Sequence, residues 1–149
     1  MNKKNTLLLF LCLFTLWAVA QEKKPVKIAC VGNSITYGSG IKNQFQNSYP
    51  GLLSQLLGEG YDVRNFGISA RVMLNKGDHP YMHEQKFRDL LAFQPDIVTI
   101  KLGTNDSKPW NWCYGKDFGK DLTEMLDILQ DLPSKPKIYL CLPVPAVKR

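Results

Sequence analysis

Apolar residues along this chain follow two alternating rhythms. Short runs rich in β-branched and aromatic residues, Val26 to Val31, Tyr61 to Phe66, Ile97 to Leu102 and Lys137 to Leu142, read as strands. Between them, apolar positions recur three and four residues apart, the period of a helix with one buried side. Leu52, Leu53, Leu56 and Leu57 mark the first such stretch, opened by Ser48-Tyr49-Pro50 and closed at Gly58 or Gly60. Phe87, Leu90 and Leu91 mark a second over Glu84 to Phe93, which Pro95 ends. Phe118, Leu122, Met125, Leu126 and Leu129 mark a third, stopped by Pro133.

Strand alternating with helix is the pattern of an α/β fold, a parallel sheet with helices on both faces. Such sheets bind ligands beyond the carboxyl ends of their strands. The first three strand runs lead into polar turns that contain glycine: Gly32-Asn33-Ser34, Gly67-Ile68-Ser69 and Gly103-Thr104-Asn105. The loops expected to converge are therefore the loops that carry chemistry.

The amino terminus changes the domain count. Lys3 and Lys4 precede an apolar run from Thr6 to Val19, and Ala18-Val19-Ala20 has the form of a cleavage site. Residues 1–20 read as a secretory signal peptide, leaving one domain over 21–149 in a secreted or periplasmic protein, with no stable membrane association after cleavage. Removing Lys3 and Lys4, with no acidic residue beside them, lowers the formal charge from +6 to +4. The remaining excess is scattered and no nucleic-acid partner is indicated. Cys30, Cys113 and Cys141 remain. Their odd number excludes complete intrachain pairing, and without a Cys-x-x-Cys pair no metal site is expected.

The three turns offer a specific reaction. A serine at a strand-to-helix turn supplies a hydroxyl nucleophile and its own backbone N–H. A glycine admits a second backbone N–H to the same point, and an asparagine amide donates without charge. Ser34, Gly67 and Asn105 fit these roles, with Gly67 and Asn105 as oxyanion donors. The sequences VGNSITYG, NFGISA and KLGTND resemble the first three blocks of the SGNH hydrolases, or GDSL esterases. That resemblance implies a flavodoxin-like three-layer parallel sheet. It also implies Ser34 as nucleophile, Gly67 and Asn105 in the oxyanion hole, and no cofactor. Asn33 stands where the family usually has Asp.

The family's base lies in a late Asp-x-x-His, and no such motif follows the fourth strand run. The chain is accordingly expected to be the first part of a longer enzyme, truncated after the fourth strand and inactive as a fragment. His79 and His83 fall between the second and third blocks and are expected at the surface. The Gly-Asn-Ser-Ile-Thr start and the Trp-rich SKPWNWCYG segment look most like carbohydrate O-acetylesterases, sialate O-acetylesterase-like proteins included. Trp110 and Trp112 then either wall a substrate pocket or pack against the body of the protein. Arg71 either meets a substrate carboxylate or remains a solvated cation. Two rival classes stay open, a non-catalytic carbohydrate-binding module and a flavodoxin-like nucleotide binder. The latter lacks a G-x-G-x-x-G or G-x-x-x-x-G-K-[ST] phosphate loop.

Overall fold

The computed structural model describes residues 24–143, so the signal peptide read over 1–20 lies outside the described residues. Its elements run β1 (Val26–Gly32), α1 (Ser34–Tyr37), α2 (Gln44–Asn47), α3 (Tyr49–Leu57), β2 (Tyr61–Gly67), α4 (Gln85–Phe93), β3 (Ile97–Lys101), α5 (Pro109–Trp112), α6 (Phe118–Gln130) and β4 (Lys137–Leu140). Short 3₁₀ turns at Tyr81–His83 and Gly115–Asp117 lead into α4 and α6. The four strands form one parallel sheet in the order β2-β1-β3-β4.

Alternation along β1 and β3 divides the sheet into two faces. Ala29, Val31, Val98 and Ile100 join Phe87 and Leu90 of α4 and Met125 and Leu129 of α6 in the main core. Tyr81 is buried there and its hydroxyl donates to the Phe66 carbonyl at 2.6 Å, tying the loop after β2 back to that strand. On the opposite face Tyr49, which opens α3, has its hydroxyl 3.2 Å from that of Thr99. Cys30 is buried beside this pair, and burial pushes its thiol upward in pKa.

The expected leucine stripe of α3 divides in two. Leu53 and Leu57 are half-buried, whereas Leu52 is 46% and Leu56 84% exposed. At about 100° per residue the four leucines spread over about 140° of the helix circumference. Contact with β2 uses the flank bearing Pro50, Leu53 and Leu57, while the flank of Leu52 and Leu56 stays largely open. β4 forms one margin of the sheet, with Tyr139 and Leu140 exposed.

The register sets up the site. Gly32 at the end of β1 lies level with Gly67 of β2 and Lys101 of β3. All three strands therefore deliver their following loops to one rim.

Candidate active site

Ser34 is the first residue of α1, directly after β1. Asn33 caps that helix: its buried side chain accepts from the Ile35 N–H at 3.1 Å. This cap needs a short acceptor and no charge, so Asn serves where Asp is usual. The half-buried Ser34 hydroxyl has no hydrogen-bond partner among the described residues. Its backbone N–H, at a helix start, also points to no acceptor among them.

Asn105 arrives from the loop after β3. Its Nδ2 donates to the Arg71 carbonyl at 3.1 Å, which uses one amide hydrogen and leaves the second. Behind it, the Asn105 carbonyl accepts from Nδ2 of the buried Asn111 at 3.0 Å. Asp106 joins the loops after β2 and β3. Its buried carboxylate accepts from the Met73 N–H at 2.8 and 3.1 Å and from the Leu74 N–H at 2.8 Å. Burial raises the Asp106 pKa, while the Leu74 and Met73 N–H groups pull it down without cancelling that rise. The loops after β1 and β2 also meet through the Ser39 and Ser69 hydroxyls, 2.7 Å apart.

Gly67 has a different task from the one expected of it. Its N–H donates to Oδ1 of Asn65 at 2.9 Å, so it is not available to an oxyanion. The glycine is needed for packing, because a Cβ there would stand 2.3 Å from the Tyr37 nitrogen of α1. Three residues later, Ala70 holds a left-handed backbone conformation with φ 67°. A non-glycine residue adopts this at a cost. The Ala70 N–H has no acceptor among the described residues, and the Asn105 amide bonds the carbonyl of its neighbour Arg71.

Arg71 is engaged within the protein. Its guanidinium pairs with Glu84 at 2.8 Å and donates to the Ser69 carbonyl at 3.0 Å, so it braces the loop and does not await a carboxylate. Trp110 and Trp112 stand on α5, the short helix that Asn111 bonds to Asn105. Both are more than half exposed. Trp110 Nε1 donates to Asp78 at 3.1 Å, and the Trp112 ring lies 6.1 Å from that of Phe118. Both are thus anchored at one edge with much of each ring open, which joins the two readings of this segment. His79 and His83 are exposed, as expected. Neither bonds Ser34, and Ser34 has no base among the described residues. Among those residues no cluster of three or more His, Cys, Asp or Glu side chains is placed to hold a metal.

Residues 30–149 match the GDSL-like lipase/acylhydrolase family. The chain belongs to this family. It is 50% identical over 146 residues to an acetylxylan esterase of Xylanibacter ruminicola, an alignment covering 87% of this chain and 30% of that protein. Solved structures with the same fold include the inhibitor-bound aryl esterase of M. smegmatis (TM-score 0.63, 21% identity, 77% of this chain, 62% of that one). A carbohydrate acetylesterase from Sinorhizobium meliloti is another (TM-score 0.61, 21% identity, 77% of this chain, 62% of that one). The chain therefore spans about a third of the curated relative it matches.

Within this GDSL-like frame, two groups gave little sign in the sequence. Asp78 accepts from Trp110 and Asn111 through its side chain, and its own N–H returns to Asn111 at 2.9 Å. Burial raises the Asp78 carboxyl, but the hydrogen bonds from Trp110 and Asn111 outweigh it and leave the pKa lowered. Ala70 is the other: alanine carries no sequence signal for positive φ.

Proposed function

We propose that this chain carries the nucleophile and oxyanion donors of an O-acetylesterase acting on carbohydrate esters, with Ser34 as the nucleophile. The observation that carries this is the convergence on one rim of an unpartnered serine hydroxyl and three hydrogen-bond donors. These are the Ser34 N–H, the Ala70 N–H and the second amide hydrogen of Asn105. Likeness to an acetylxylan esterase supports the acetyl group and the sugar alcohol.

In this reaction Ser34 Oγ attacks the acetyl carbonyl carbon, and a general base takes the hydroxyl proton. Negative charge moves to the carbonyl oxygen, where the three donors meet it. Collapse breaks the bond to the sugar oxygen, which leaves with the proton as an alcohol. Water then cleaves the acetyl-serine to release acetate and restore the hydroxyl. The base is not among the described residues, so the activity is assigned to the complete protein. Secretion, read from residues 1–20, fits a polysaccharide substrate too large to enter a cell.

The test is acetate release from acetylated xylan by the full-length protein and by Ser34→Ala. Loss of release in a folded Ser34→Ala protein is expected. Equal release by both would end this reading.

A further inference from the structure

The described residues line an open hollow of about 930 Å³ that Ser34 does not border, at the upper end of the size range of small-molecule sites. It lies between α2, α3 and the β2 margin, and Tyr37 of α1 connects it to the helix that starts at Ser34. A second hollow of about 450 Å³ shares Gln44, Phe45 and Gln46 with it. Phe45 therefore borders both depressions, and it is 92% exposed.

That exposure is built into a pinned turn. Asn43 enters α2 in a left-handed conformation with φ 51°. Gln44 Nε2 donates to the Tyr37 carbonyl. Asn47 Nδ2 donates to the Lys42 carbonyl at 2.7 Å, and Gln55 Nε2 donates to the Gln46 carbonyl at 2.8 Å. Side-chain amides on both sides of Phe45 thus fix the backbone that presents it to solvent. Those bonds each use a hydrogen of the Gln44 and Gln55 NH₂ groups and leave their side-chain carbonyls, together with the whole Gln46 amide, free on residues that line the hollow.

An apolar ring flanked by amide acceptors and donors, with Asp62, Arg64 and Lys86 also lining the hollow, suits a pyranose, whose C–H face is apolar and whose rim is hydroxyls. Strand addition is less well served. Asp62 and Arg64, joined by a 2.8 Å ion pair, put charge on the open β2 margin, a device that discourages pairing. We propose that this hollow is a binding subsite for the unacetylated backbone of an oligosaccharide, with Phe45 as its stacking platform and Gln44, Gln46 and Gln55 bonding hydroxyls. The choice of sugar rests on the carbohydrate reading above. The site would hold the polymer while a neighbouring acetyl group meets Ser34.

The full-length protein carrying Ser34→Ala, labelled with ¹⁵N, is titrated with xylohexaose and followed by amide chemical shifts. Shifts at residues 44–46 and Gln55 are expected, with Phe45→Ala raising Kd about tenfold or more. Gln46→Ala should act in the same direction with a smaller change. Both positions are exposed, so these variants keep the fold. No shifts at these amides, an unchanged Kd in both variants, or shifts there with an extended peptide and none with xylohexaose would each overturn the subsite. Acetate release is measured separately on the unmutated protein: its absence beside intact xylohexaose binding sinks the esterase reading and supports the subsite.

Discussion

Asp106 has the most to lose of any side chain around the site, and its replacement can be worked through. Its carboxylate is the acceptor for the N–H groups of Met73 and Leu74, both in the core. Asp106→Ala leaves two buried donors without partners, at about 1–3 kcal/mol each, or about 2–6 kcal/mol in all. Against a typical total of about 5–15 kcal/mol, that is a large share. Asp106→Asn keeps the Oδ1 that accepts from both N–H groups at 2.8 Å and loses only the 3.1 Å contact of the Met73 N–H with Oδ2, where an NH₂ now stands, so a smaller loss of about 1 kcal/mol is expected. Urea unfolding followed by circular dichroism should rank wild type above Asn above Ala, with similar m values.

The pH dependence adds a second reading of the same residue. Burial, only partly offset by the Leu74 and Met73 N–H groups, holds the folded pKa above the ordinary 3.8. The folded state therefore binds this proton more tightly than the unfolded one. The resulting stabilisation is full below the unfolded pKa and is lost as pH rises through the folded pKa. The lead of wild type over the non-titrating Asp106→Asn should shrink across that window. An Asp106→Ala protein within about 0.5 kcal/mol of wild type, the scatter of an ordinary surface change, would refute this account of the clamp.

Three further outcomes follow from the same geometry. Asn105→Ala in the complete protein should lower kcat by about 10²–10³, the usual effect of deleting one oxyanion donor, as read in steady-state assays with an aryl acetate. Ala70→Gly should raise stability by about 0.5–1 kcal/mol in urea unfolding, because glycine meets φ 67° without a Cβ penalty and the donor N–H is kept. The lowered Asp78 pKa means its latch on Trp110 and Asn111 holds above the ordinary 3.8 and weakens as pH falls through the folded pKa. Tryptophan fluorescence should therefore change on acidification in wild type and remain flatter in Asp78→Asn.

Much of the scaffold could be read from periodicity. All four strands and the three longer helices occur where apolar spacing places them, within a residue or two at their ends. The helices α1, α2 and α5 are four residues each, a single turn too short to display a period. Leu52 and Leu56 misled because the pattern shows which side of a helix is apolar, not how much of that side the sheet covers. At the site, Ser34 and Asn105 were legible because strand ends in a parallel sheet converge. Gly67 was legible as a point of close approach, but what approaches is the backbone of α1 and not a substrate. Pairings such as Asp106 with Met73, Asp78 with Asn111 and Arg71 with Glu84 join side chains to groups 13 to 33 residues away, where no local rule operates.

The central claim is that Ser34 is the acyl-accepting nucleophile. The most direct measurement is mass spectrometry of the full-length protein after treatment with a fluorophosphonate, with the modified residue located by peptide mapping. One phosphonyl group on Ser34, absent from Ser34→Ala, is the predicted result. A folded protein that releases acetate yet carries its adduct on another residue would contradict the account.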